Sequence, residues 1–326
     1  MKMKEKNEFV GLGESDASEE ITGAEIQGGI PQVESGDVQN HDSSEMKNDE
    51  QQDRPSTPSN AITVRVPGKA PIVFLFGAPS SGKTMTLVRL AKYLTTKDYS
   101  ISVETQFCDS GKVWEYAKNA ENFNNMLNTT TALQGTGRND FLLVKISDKF
   151  GTTVCYILEG AGEDYFPSKK LPNKAQVPFP PYMTGIFGAN NKKIWVFLTE
   201  PNWKVSFEDK AAYVQRIRFC KRQCMSSKDK AIILYNKIDT TEYVYSAEKV
   251  HRENAMRGCN DEYPGLFQIF KNERKWPFSE PYTCKFVPFS TGIFGEVIPN
   301  TPQHYDASND LYPATLWETI IKCIKG

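Results

Sequence analysis

Apolar residues in this chain gather in short continuous runs separated by longer stretches of helical spacing. The runs cover residues 71–76, 141–146, 152–158, 194–198, 231–235 and 284–290. Runs of this length without alternation are expected of strands buried on both faces. Between them, Leu87, Leu90, Ala91 and Leu94 recur at core spacing, as do Ala211, Val214, Ile217 and Phe219 within 207–226. Leu316, Trp317, Ile320, Ile321 and Cys323 mark a packed final helix. Strands that alternate with helices predict an α/β fold with a mostly parallel sheet covered on both faces. The runs at 141–146 and 152–158 are joined by a short polar turn containing Gly151, which predicts a hairpin and hence one antiparallel strand.

Weaker patterns fill the gaps. Alternating β-formers at 61–66 read as an edge strand or a lead-in, and 101–103 as a short strand. Residues 113–133 hold an irregular helical pattern, 166–188 is Pro-, Gly- and Lys-rich and reads as loop, and 240–280 is uneven helix and loop. No internal repeat is evident. Residues 61–326 are expected to form one domain with insertions.

Charge divides the chain at the same place. Residues 1–60 carry 14 acidic against 5 basic side chains, whereas 61–326 carry 34 basic against 26 acidic. The first segment has almost no aromatics and too little apolar surface to offset its ordering entropy, so it is expected to be a disordered acidic tail. The modest positive excess of the remainder permits contact with a polyanion without requiring it. Trp195, Phe197 and Trp203 near Arg216, Arg218, Lys221 and Arg222 invite a nucleic-acid reading. A tryptophan in an apolar strand is more often core, and a basic helix face more often solvated. Nucleic acid is therefore not expected as a partner.

Seven cysteines are scattered without a paired C-x-x-C spacing, as in a cytoplasmic protein with reduced, buried thiols. Lys2, Lys4 and Lys6 are not followed by an apolar core, so no secretory signal is expected, and no run reaches membrane-spanning length.

The chemistry begins where the first strand ends. Gly77-Ala78-Pro79-Ser80-Ser81-Gly82-Lys83-Thr84 follows an apolar run and opens an amphipathic segment. Its glycines let successive N–H groups close over a phosphate at a helix start. Lys83 can reach the outer phosphates, and Thr84 can set its hydroxyl on Mg²⁺. Two further segments lie at strand ends. Asn236-Lys237-Ile238-Asp239 follows the run at 231–235, and Glu159-Gly160-Ala161-Gly162-Glu163-Asp164 follows that at 152–158. A carboxylate such as Asp239 fits a ring edge bearing two adjacent donors, which guanine has and adenine lacks.

With these residues the chain resembles the Ras-like, translation-factor-related class of P-loop GTPases from about 72 to 295, with the looser switch region of a divergent bacterial subgroup. The resemblance implies a three-layer P-loop fold, GTP or GDP with Mg²⁺ as ligands, and a switch that acts through a protein effector or regulator. Asp239 would read guanine while Asn236 and the Lys237 stem position the base. Ser290 and Thr291, after the last strand, resemble the loop that contacts the guanine carbonyl. Gly162 matches the glycine that senses the γ-phosphate. Two positions depart from the family. Glu159 stands where an aspartate holds Mg²⁺ through water, and Glu163 where a glutamine orients the attacking water in the Ras branch. Thr136 is the best match to the switch threonine on Mg²⁺, with Thr129, Thr130 and Thr131 as rivals. Slow hydrolysis of GTP is the expected activity. A non-hydrolysing nucleotide-dependent scaffold is the alternative, and an unrelated ATPase is disfavoured by Asp239.

Overall fold

The structure, a computed structural model, describes residues 64–108, 114–128, 141–167, 173–201, 203–245, 249–273, 280–295, 305–307 and 309–326. The expected acidic tail, Thr136 and its three rivals lie outside them.

Among the described residues the strands are β1 (Ile72–Phe76), β2 (Ser100–Val103), β3 (Phe141–Ser147), β4 (Thr153–Gly160), β5 (Lys193–Thr199), β6 (Lys230–Tyr235), β7 (Val244–Tyr245), β8 (Lys249–Val250), β9 (Cys284–Pro288), β10 (Ile293–Phe294) and β11 (Tyr305–Asp306). Seven of them form one sheet in the order β2-β3-β4-β1-β5-β6-β9. Only β3 runs against its neighbours, pairing antiparallel with both β2 and β4; the pairs β1–β4, β1–β5, β5–β6 and β6–β9 are parallel. This is the mostly parallel α/β sheet with one antiparallel strand that the apolar runs imply.

Every residue of β1 and β5 is buried. Successive side chains of a strand point to opposite faces, so both faces of the sheet centre are covered. On β1 and β5, Phe74 stacks on Trp195 with ring centroids 4.7 Å apart, and Phe76 meets Phe197 edge-on at 5.4 Å. Trp195 is therefore core, as an apolar strand tryptophan usually is.

The helices are α1 (Lys83–Thr95), α2 (Trp114–Leu127), α3 (Gly162–Tyr165), α4 (Pro181–Gly188), α5 (Phe207–Gln223), α6 (Arg252–Glu262) and α7 (Leu311–Lys325). Helix α5 starts at Ser206, whose Oγ accepts from the Asp209 amide at 3.2 Å, with Glu208 and Asp209 in its first turn and Lys221 and Arg222 in its last. Each of these charges complements the helix dipole.

Two expectations are corrected, for 181–188 and Arg216, and one open alternative, for 61–66, is resolved. Residues 181–188, read as loop, form α4: Pro181 occupies the first turn, where proline is tolerated, and Tyr182, Met183 and Ile186 are buried. Within 61–66, the described part is a lead-in rather than a sheet strand, with Val64 bridging Cys108 in isolation. Arg216, assigned to a solvated basic face, is fully buried. Its Nε donates to the Tyr165 carbonyl at 2.9 Å and its Nη1 to those of Ala175 and Val177, while its guanidinium lies 3.7 Å from the Phe179 ring centroid. All of the seven cysteines but Cys224 are buried. No described helix is long and apolar enough to cross a membrane.

Candidate functional site

Strand β1 sits where the order of the sheet reverses. The sheet extends from it to β4, β3 and β2 on one side and to β5, β6 and β9 on the other. In open parallel sheets the crevice beyond the carboxyl ends of the strands at such a point is where ligands bind. Residues 77–84, 236–239 and 290–291 follow the carboxyl ends of β1, β6 and β9, and 159–164 starts in the last two residues of β4 and runs past its end.

The loop after β1 turns tightly. Ser80 has φ 62° and Gly82 has φ 85°, and Gly82 precedes the first residue of α1. A Cβ on Gly82 would lie 2.4 Å from Asn236 Nδ2 and 3.1 Å from the Thr291 methyl. Glycine is required there both by the left-handed backbone and by the close approach of two other segments. The Asn236 side chain is fully buried, and its Nδ2 donates to the Ser81 carbonyl at 2.8 Å. Ser81 Oγ and Asn236 Oδ1 are buried with no hydrogen-bond partner among the described residues.

Lys83 leads α1 inward. Its ammonium is buried, donates to the Ala78 carbonyl at 3.1 Å and lies 5.7 Å from the Tyr165 ring centroid. Burial lowers its pKa to about 8, opposed by the charges of Glu159, Asp164, Glu163 and Glu200. Lys83 therefore still carries most of its charge at pH 7, and a bound anion would favour the charged form further.

Glu159, near the end of β4, is buried and accepts from Thr84 Oγ1 at 2.7 Å. The longer glutamate side chain thus sits directly on the threonine hydroxyl, one methylene further than an aspartate would reach. Gly162 opens α3 against the loop: a Cβ there would fall 2.4 Å from both N and Cα of Pro79. Only a bare Cα fits this contact. Glu163 and Asp164 follow in the same turn, half-buried. Tyr182 of α4 donates its hydroxyl to Asp164 Oδ2 at 2.8 Å and stacks on Phe141, centroids 4.3 Å apart. Burial holds the phenols of Tyr165 and Tyr182 well above the usual tyrosine range, so both remain protonated.

Lys237 has φ 55°, and its Nζ donates to the Ser80 carbonyl at 3.2 Å and pairs with Glu200. Asp239 is exposed on the 3₁₀ turn Ile238–Thr240. Ser290 and Thr291 are buried. Their loop is fixed from both sides, since Arg89 of α1 donates to the Ser290 carbonyl and Tyr305 donates to the Thr291 carbonyl at 2.8 Å. The described candidates therefore meet in one place, with Asp239 at its solvent edge.

Pattern reasoning missed the residues that hold these groups: Arg89, Tyr182, Glu200 and Arg216. Arg89 carried one signal, a charge inside the apolar register of α1 between Val88 and Leu90. The partners of the others are set by tertiary packing alone.

No protein-family model matches the chain, and no curated protein does. Among solved structures, it is similar to the crystal structure of the S. cerevisiae Ski7 GTPase-like domain bound to GTP, with 13% identity and a TM-score of 0.38. The match covers 79% of this chain and 50% of that one, so the chain spans half the length of that neighbour. A likeness this slight carries no argument about chemistry, which has to come from the residues.

Proposed function

We propose that this domain is a P-loop fold of three layers that binds GTP and GDP with Mg²⁺ at the carboxyl edge of its sheet and works as a slow GTPase switch. The observation that carries this is the buried hydrogen bond from Asn236 to the Ser81 carbonyl. It ties a segment suited to reading guanine to a loop suited to holding phosphate.

Each group has a task in this assignment. The N–H groups of residues 80–84 would donate to phosphate oxygens at the start of α1, where the helix dipole adds positive potential. Lys83 offsets the charge of the outer phosphates. Asp239 accepts the two N–H groups of the guanine edge, with the Lys237 stem along the ring and the 290–291 loop beside the base. Gly162, packed on Pro79, carries the presence or absence of the γ-phosphate into α3. Thr136 remains the choice for the second switch hydroxyl.

The donor set fits Mg²⁺. Thr84 hydroxyl and Glu159 carboxylate are hard oxygens 2.7 Å apart beside the loop. Among the described residues no three His, Cys, Asp or Glu side chains group to hold a metal by themselves. Most positions on the ion would then fall to phosphate and water, which is the coordination Mg²⁺ prefers. When bound, Mg²⁺ would offset charge on the phosphates.

Titrating GDP, GTP and ATP into the purified chain by calorimetry tests the assignment, with Asp239→Ala as control. Guanine nucleotides should bind more tightly than ATP, and only their affinity should fall in the variant. Equal or tighter ATP binding overturns it. The acidic ring around Lys83, with Glu163 in place of a neutral amide, favours a second reading, a scaffold that binds nucleotide without turnover. Single-turnover hydrolysis that is lost in Lys83→Ala supports the enzyme.

A further inference from the structure

We propose that Glu200 is a positioning residue for this site: it holds the Lys237 side chain along the rim of the glycine-rich loop and so sets how long a nucleotide is retained. The inference rests on the guanine-nucleotide reading of the same site.

Glu200 directly follows β5, at the carboxyl edge of the sheet, and is almost fully buried. A buried carboxylate needs a partner, and Glu200 has one in Lys237. Lys237 is otherwise a residue under constraint. Its backbone is left-handed at φ 55°, which a residue with a Cβ adopts only when its surroundings impose it. Backbone bonds on either side, from the Asn236 amide to the Thr199 carbonyl and from the Ile238 amide to the Phe289 carbonyl, hold that conformation, and the ammonium has two anchors of its own, the Glu200 carboxylate and the Ser80 carbonyl. With the ammonium fixed at both, the four-carbon stem is ordered before any ligand arrives, and binding does not have to arrest a flexible side chain.

Glu200 is itself held from outside the loop. The Tyr263 hydroxyl donates to its carbonyl at 2.9 Å and accepts from its amide at 3.2 Å. Tyr263 is buried at the end of α6, and the preceding residue, Glu262, pairs with Lys210 of α5. A continuous chain of contacts therefore runs from α6 through Tyr263, Glu200 and Lys237 to Ser80. Nothing in the order of motifs along the sequence calls for it.

The test uses the full chain loaded with N-methylanthraniloyl-GDP, following release by stopped flow for wild type, Glu200→Gln, Lys237→Ala, their double variant and Tyr263→Phe. Glu200→Gln should release the label about tenfold faster, and should add nothing in the Lys237→Ala background. Tyr263→Phe, which leaves the charge pair in place, should accelerate release less, and keeps the test open if Glu200→Gln does not fold. Wild-type release rates in Glu200→Gln or in Tyr263→Phe overturn the proposal, as does a full additive effect on top of Lys237→Ala. If the wild type does not retain the label at all, the nucleotide reading fails and takes this inference with it.

Discussion

Asn236 donates its side-chain amide to the backbone carbonyl of Ser81 across 155 residues of sequence, in a site closed to solvent. The bond joins the ends of β6 and β1, and the approach is so close that only glycine fits at position 82. Asn236→Ala leaves the buried Ser81 carbonyl unsatisfied, which costs about 1–3 kcal/mol. The expected outcome is a lower melting temperature without ligand and weaker binding of GDP and GTP alike. A variant with wild-type melting and affinity would show that the bond holds nothing in place.

Asp239 should govern which base is accepted. A carboxylate offers two acceptors, whereas an amide in the same place offers one acceptor and one donor. Asp239→Asn should therefore lose guanine nucleotides by about 100-fold and gain affinity for xanthine nucleotides, whose ring carries a carbonyl where guanine carries an amine. Competition binding with GDP and xanthosine diphosphate reads both changes. Because Asp239 is exposed, its substitution should leave the melting temperature of the unliganded chain unchanged.

Lys83 gives the affinity a pH dependence of known sign. In the free protein burial lowers its pKa to about 8. Bound phosphate favours the charged ammonium and raises that pKa, so above pH 8 binding takes up a proton. The Lys83 contribution to GDP affinity should be level below about pH 7 and fall as pH rises beyond 8, by at most about tenfold per unit. Calorimetry in buffers of different ionisation enthalpy should register the proton taken up near pH 8.5.

Arg216 offers a test on the far side of α3. Its buried guanidinium donates to the carbonyls of Tyr165, Ala175 and Val177, gathering the segment that follows the Gly162 turn onto α5. Arg216→Met keeps an apolar stem and leaves three carbonyls without this donor, which should destabilise the chain by about 3 kcal/mol. Limited proteolysis should then cut between residues 166 and 180 sooner than in wild type.

The sheet was legible in the sequence because its main strands are continuous apolar runs, and four of the runs, 71–76, 152–158, 231–235 and 284–290, end where chemistry begins. Residues 77–84, 236–239 and 290–291 could be placed at strand ends from pattern alone. Helix α4 was hidden because Pro180, Pro181, Gly185 and Gly188 have the composition of a loop, although Pro181 stands at the one helical turn that tolerates it. Arg216 reads as solvated by composition, and only the carbonyls that surround it show that it belongs inside. Glu200 and Tyr263 were silent for a related reason. Their meaning lies in partners that neither periodicity nor spacing encodes.

Glu163 decides between switch and scaffold. It lies in the first turn of α3, beside the Gly162–Pro79 contact, and its negative charge acts on Lys83. A carboxylate there opposes the build-up of negative charge on a transferring phosphoryl group, and it competes for the same ammonium that would stabilise that charge. Glu163→Gln removes the charge at nearly constant shape and supplies an amide that can orient water. If the domain hydrolyses GTP, the single-turnover rate should rise by about tenfold, with little change in GDP affinity. The added Glu163→Gln gain should vanish in a Lys83→Ala background, because the ammonium on which both charges act is gone. Tight GTP binding with no turnover in either wild type or Glu163→Gln would instead leave the domain as a nucleotide-dependent scaffold.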